Sequence, residues 1–319
     1  MNTMPQKIRL GVSTCLLGRN VRYDGGHKHD PYLTKTLGVF VEYVPVCPEV
    51  ECGMPIPRES LRLVGDIASP RLVTTKTGKD FTSQMQQWAR QRLDELETEN
   101  LCGFIFKSDS PSSGMERVKV YLSSGMPVKK GSGIFARMFM ERFPLLPVEE
   151  EGRLHDPGLR ENFIERIFVL QRWRNLCAEN PTVGGLVTFH TDHKLLLLAH
   201  SPEHYRKMGK LVADASRFPI RQTLDGYAEM LMTALKIKAS PRKNVNVLQH
   251  ALGYFKKELS SEEKQEALTL IEQYGQGLLP LIVPITLIHH FIRKYQEPYL
   301  SRQLYFQPHP IELQLRNHV

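Results

Sequence analysis

The chain has 319 residues, 41% of them hydrophobic and 24% charged, which is long enough for two domains of ordinary size that each bury a core. A net charge of +8 suits a polyanionic partner such as nucleic acid, and five cysteines, an odd number with no secretory leader, argue against a disulfide framework. No apolar run approaches the roughly 20 residues needed to cross a bilayer, and the opening "MNTMPQKIR" is polar and too short for a signal, so a cytoplasmic protein with no membrane partner is expected. No obligatory protein partner is inferred.

In chain order, the first predicted strand is "IRLGVS", followed by "TCLLGRNVRYDGG" with Cys15 near its start. A second, "VFVEYVPV", runs into "CPEVECG", which carries Cys47, Glu49 and Cys52. Helical spacing covers Thr82 to Asn100, and "LCGFIFK" then reads as a strand that leads into "SDSPSSGMERV", rich in serine but without cysteine. "RVKVY" is a further short strand, and "VKKGSGIFAR" places Lys129 and Lys130 at an expected helix start able to receive a phosphate, though without P-loop spacing. This alternation predicts an α/β, Rossmann-like domain with a largely parallel sheet. Past "PVEEEGRLHDPGLREN" nearly every segment has helical spacing, with Asp156 as N-cap and Pro157 at the first helical position. The boundary is placed near residue 152, giving an α/β domain over 1–152 and an all-α domain over 153–319.

In a parallel sheet, ligands bind beyond the carboxyl ends of the strands. Cys15 and Cys47 stand at equivalent strand ends, and Cys52 shares the second loop. Three thiolates around one point suit an iron–sulfur cluster or zinc; the plain alternative is that each cysteine is a small buried hydrophobe. "RYDGG" and "HKHD" offer Arg22, His27 and Lys28 to a phosphate or base, or form only a loop. In the second half, no acidic residue occurs between Met230 and Lys257, while Lys236, Lys238, Arg242, Lys243, Lys256 and Lys257 all fall there, which suits an RNA backbone or a solvated face equally. His190, His193, His200 and His204 lack partners at metal-ligand spacing and read as structural or RNA-contacting.

"VSTCLLGRNVRYDGG", "CPEVECGMPIPR" and "KSDSPSSG" together resemble the three motifs of the thiouracil desulfidase (TudS) family over roughly residues 7 to 148. "HKLLLLAHSPEHYRKMGKLVA" and "PRKNVNVLQHALGYFKK" resemble the YbgA-like domain fused to it in the RudS proteins, implicated in removing sulfur from 4-thiouridine in tRNA. The resemblance implies a 4Fe–4S cluster on three cysteines with one iron open to the substrate sulfur, and hydrolysis of a C=S bond without net redox change. It puts the catalytic glutamate at Glu49 and the catalytic serine at Ser110; locally, Glu49 could instead pair with Arg58 and Ser110 shape a turn before Pro111. The family's third cysteine usually lies in "SPSCG", where this chain has Ser113. Cys102 begins a strand at the opposite sheet edge, roughly 15–20 Å away, so Cys52 is the expected third cluster ligand beside Cys15 and Cys47. Ser113 itself would need an alkoxide–iron bond. The expected function is desulfuration of 4-thiouridine in tRNA to uridine and hydrosulfide. The alternatives are a desulfidase of free thiouracil-type bases and a noncatalytic RNA-binding protein with a structural zinc.

Overall fold

The computed structural model describes residues 7–318. The chain forms two compact units, divided between Asp156 and Pro157. In the first unit, β1 (Ile8–Ser13), β2 (Val41–Val46), β5 (Phe104–Phe106) and β8 (Val148–Glu150) make a four-stranded sheet in the order β2-β1-β5-β8, all parallel. β1 and β5 are buried nearly throughout, as expected of parallel strands covered on both faces. A second, mixed sheet that the sequence reading did not separate from the first has the order β4-β3-β6-β7, from β3 (Leu61–Gly65), β4 (Pro70–Thr74), β6 (Val118–Tyr121) and β7 (Pro127–Gly131). β6 alternates buried Val118 and Val120 with exposed Lys119, the period-2 pattern of a half-solvated strand.

Three helices belong to this unit: α1 (Pro48–Glu51), α2 (Thr82–Thr98) and α3 (Ile134–Arg142). α2 buries Met85, Ala89, Leu93 and Leu96, one apolar stripe at helical spacing. Ala89, Leu93 and Leu96 share an aromatic core with Phe104, Phe106, Phe135 and Phe139 of β5 and α3. Phe104 stacks on Phe106 at a centroid distance of 4.3 Å and lies 4.8 Å from Phe139. Gly11 is required here, because a Cβ on it would fall 2.2 Å from the Phe104 ring. Lys129 and Lys130, expected at a helix start, lie instead on β7; α3 begins only at Ile134, with Gly133 as its N-cap.

The second unit is helical: α4 (Pro157–Glu179), α5 (Val183–His200), α6 (Pro202–Ala213), α7 (Ile220–Lys236), α8 (Pro241–Leu252), α9 (Ser261–Gly275), α10 (Ile282–Tyr295) and the short α11 (Pro298–Ser301). Several starts are written in the sequence: the side chains of Thr182, Ser201, Ser240 and Ser260 accept from backbone N–H groups of the first turn, and Ser260 with Glu263 forms a capping box. No described helix is long and apolar enough to cross a membrane.

Candidate active site

The parallel register sets Ser13 beside Val46, so the chain leaves β1 into Thr14 and Cys15, and leaves β2 into Cys47, at the same sheet edge. The third loop arrives from β5, and the Lys107 N–H donates to Ser13 Oγ at 2.9 Å, tying the strand ends together. A pocket of about 280 Å³ opens there, lined by Cys15, Cys47, Glu49, Ser110, Ser112 and Ser113 among others. The edge between β1 and β5 is where the strand order reverses, the usual crevice for a ligand in such sheets.

The serine loop is held from below by α3. Gly133 N donates to Gly114 O at 2.8 Å, Ile134 N to Pro111 O at 3.2 Å and Phe135 N to Ser112 O at 3.0 Å. A Cβ on Gly133 would lie 2.5 Å from the Ser112 carbonyl carbon, so only glycine lets the loop sit this close to the helix start. Ser112 and Ser113 are consequently buried.

One hydrogen-bonded chain crosses the pocket. Arg58 donates through Nε to Glu49 Oε2 at 2.8 Å and adds a second bond from its terminal nitrogen. Glu49 Oε1 accepts from Ser112 Oγ at 2.8 Å, and Ser112 Oγ is 3.0 Å from Ser110 Oγ. Ser110 Oγ also accepts from the Ser113 N–H at 3.1 Å. Glu49 thus pairs with Arg58 and Ser110 shapes its turn, as their local readings held, while both also line the pocket. Ser112 was missed by the sequence reading; the available signal was a second serine one residue past Pro111.

The thiols divide into two groups. Cys15 and Cys47 line the pocket, and Cys47 helps to raise the pKa of both Cys15 and Cys52. Burial pushes the Cys15 thiol up to about 11, against a partial offset from Lys107, and burial likewise raises Cys47. Cys52 is placed differently: its thiol donates to the Glu49 carbonyl at 3.3 Å, and its side chain packs in an apolar cluster with Met54, Leu63, Leu72 and Met85. The structure therefore brings Cys15, Cys47, Glu49, Ser110 and Ser113 to one cavity and leaves Cys52 behind its wall. Cys102 is fully buried just before β5, with its N–H on Arg9 O at the amino end of β1. Cys177 lies half-buried in α4 of the other unit.

Arg22 and Lys28 add positive charge to the lining, and Lys107 Nζ bonds Glu151 and Ser108 at its side. Two sulfur donors in a cavity with Arg22, Arg58, Lys28 and Lys107 on its lining fit an anionic iron–sulfur group, for which thiolates are the preferred donors. Each thiol must lose its proton on binding.

In the helical unit the histidines are interior groups. His190 Nδ1 is 3.1 Å from Tyr227 Oη, His193 Nδ1 is 2.7 Å from Phe189 O, and His200 bridges Ile237 O and Glu165. His204 bonds Ser201 at its helix start. Lys236, Lys238, Arg242, Lys256 and Lys257 are exposed, whereas Lys243 Nζ is spent on the His200 carbonyl at 2.6 Å. Glu161, Glu165 and His309 place ligand-type atoms within 4.8 Å of one another, but Arg316 already bonds both carboxylates as the resident cation.

A family model described as 2-thiouracil desulfurase matches residues 10–151, and one described as "Protein of unknown function (DUF1722)" matches residues 194–310. The uncharacterized protein YbgA of Escherichia coli (strain K12) is 37% identical over 156 residues, covering 48% of this chain and 90% of that protein. Among solved structures, the 4Fe–4S-dependent thiouracil desulfidase TudS is 28% identical, with 47% of this chain and 95% of that one covered at a TM-score of 0.39. The chain belongs to the family that joins a 2-thiouracil desulfurase domain to a YbgA-like domain.

Proposed function

We propose that the first unit hydrolyses the C=S bond of a thiolated pyrimidine, above all 4-thiouridine in tRNA, to give uridine and hydrosulfide with no net oxidation or reduction. The observation that carries this reading is the Arg58–Glu49–Ser112–Ser110 chain ending in the same cavity as the thiols of Cys15 and Cys47. A 4Fe–4S cluster held there supplies, when bound, an open iron that takes a thiocarbonyl sulfur and makes the attached carbon electrophilic. Cys15 and Cys47 are two of its ligands. For the third, Ser113 is already on the lining, whereas Cys52 has first to leave the Glu49 carbonyl and its apolar neighbours.

The remaining work falls to side chains. Arg58 fixes the Glu49 carboxylate with two donated bonds, leaving Oε1 to take a proton through the Ser112 hydroxyl. Ser110, next in the chain, orients the attacking water. Water oxygen bonds to the ring carbon as one water proton passes to Glu49; the C–S bond then breaks with that proton delivered to the sulfur, which leaves as hydrosulfide, and the remaining hydroxyl proton is released to solvent as the C=O bond forms. The exposed Lys236, Lys238, Arg242, Lys256 and Lys257 of the helical unit attract the RNA backbone by counterion release.

Anaerobic purification with iron and zinc analysis, followed by sulfide release from free 4-thiouracil and from 4-thiouridine tRNA, tests the reading. Iron with sulfide release from tRNA is expected. Stoichiometric zinc without iron would reject the enzyme, and sulfide from the free base alone would make the base the substrate.

A further inference from the structure

A second cleft, of about 340 Å³, adjoins the catalytic pocket: Asp109 and Pro111 line both. Its other walls come from the mixed sheet and carry Arg62 of β3, Lys119 and Tyr121 of β6, and Lys129 of β7. The register places Lys119 directly opposite Lys129 across the antiparallel β6/β7 pair. Like charges in that arrangement destabilise a hairpin, and both side chains are exposed with no ion pair among the described residues. Arg62 lies over the Tyr121 ring at 5.4 Å, which holds its guanidinium flat, and its Nε is buried without a hydrogen-bond partner. Asp109 is the one carboxylate on the lining among the described residues.

A repelling lysine pair beside a fixed, under-bonded guanidinium is an arrangement that an anion completes. We propose that this cleft binds the phosphodiester of the RNA strand flanking the thiolated nucleotide, so that the catalytic unit itself grips the polymer whose base enters the pocket. This rests on the tRNA reading of the active site. Arg62 supplies a planar fork suited to phosphate, and the two lysines supply point charges. A free base carries no charge to use any of them. Because phosphate contacts position a strand without reading its sequence, the cleft sets register and leaves discrimination of sulfur to the pocket.

The test uses the full chain with Arg62→Gln, Lys119→Gln and Lys129→Gln combined, none of them on the catalytic lining. Binding of a single-stranded RNA oligonucleotide is measured against salt, and sulfide release is measured from free 4-thiouracil, from 4-thiouridine monophosphate and from a 4-thiouridine oligonucleotide. Losing three phosphate contacts should weaken RNA binding on the order of tenfold or more at moderate salt and reduce the log–log salt slope by about 2. Release from the free base should stay at the parent level. Lys119→Glu guards against misfolding as an explanation: by pairing with Lys129 it should raise Tm while weakening RNA further. Unchanged RNA affinity and slope would overturn the proposal, as would an equal loss on the monophosphate, which would assign the cleft to the substrate's own phosphate. The binding arm needs no cluster, so it is read separately from desulfuration; a parent that releases sulfide from the base but binds no RNA would sink the tRNA reading and the cleft together.

Discussion

Replacing Glu49 by Gln removes one charge and one proton acceptor while keeping the shape of the side chain. Arg58 then keeps an acceptor if the amide oxygen faces it, and the amide NH2 turns to Ser112, whose hydroxyl must accept where it now donates. The link to Ser110 is thereby reversed, and no group remains to hold a proton taken from water. General acid–base catalysis of this kind contributes about 10²–10⁴-fold, so turnover should fall by that factor. The structural cost comes mainly from Arg58, whose side chain is only 6% exposed and which retains the Val21 and Pro55 carbonyls as partners. Weakening a charged hydrogen bond costs about 1–3 kcal/mol, which for a unit of this size lowers its Tm by roughly 2–12 °C. The assay is single-turnover sulfide release from 4-thiouracil under anaerobic conditions, normalised to iron content. A variant with parental iron and turnover within about threefold of the parent would show that Glu49 only holds Arg58, and the proton path would have to be abandoned.

Ser112→Ala should keep iron and lower turnover by roughly 10- to 100-fold, since a hydrogen bond to a charged group is worth about 1.5–3 kcal/mol, and Ser112→Thr should recover part of it; equal activity in all three would disconnect Ser112 from catalysis. Cys15→Ser and Cys47→Ser should each abolish iron binding measured by visible absorbance, Cys52→Ser and Cys102→Ser should retain it, and Ser113→Cys should bind iron at least as firmly as the parent; loss of iron in Cys52→Ser alone would return the third ligand to Cys52. His190 and His193 are held neutral by burial, with pKa values lowered from about 6.5 to about 4 and about 3. The unfolded chain therefore takes up protons that the folded one refuses, so the stability contribution is complete above pH 6.5 and drains as pH falls, about 1.4 kcal/mol per pH unit for each histidine. The urea midpoint of the helical unit, read from Trp173 fluorescence in a Trp88→Phe background, should drop from pH 7 to pH 5; a constant midpoint would contradict the burial argument.

The strands that carry the site were legible because their signals are local. "IRLGVS", "VEYVPV" and "FIF" are apolar runs of strand length, and the loops after them line the pocket. The helical half was legible for the same reason, through spacing and caps such as Ser260 with Glu263. The second sheet was harder to see, because β3 and β6 pair in parallel across more than fifty residues of chain, a contact that no local pattern encodes. Lys129 and Lys130 were misplaced because glycines after a strand read like a helix entry, whereas Gly131 ends β7 and Gly133 is needed for the close approach to Ser112. Ser112 and Arg58 took their roles from three loops meeting in space, and only the sheet register brings those loops together.

The placement of Cys52 shows where proximity in sequence stops being a guide. In sequence, Cys47 and Cys52 stand five positions apart in one loop, which reads as proximity. Between them, however, the chain makes a helical turn, α1, with Pro48 at its start and Cys47 and Cys52 as its two caps. Cys47 keeps an extended backbone (φ −123°, ψ 93°) and Cys52 follows the last helical residue, so the two thiols leave opposite ends of the turn. Pro48 forces that turn, since its fixed φ suits the first helical position, and the Glu51 side chain closes it by accepting from the Cys47 N–H at 2.6 Å. Glu49 lines the pocket, whereas Cys52 packs with Met54 and Leu63 in the apolar cluster. Unwinding α1 to recruit Cys52 would give up the Glu49 position on which the proposed proton path depends.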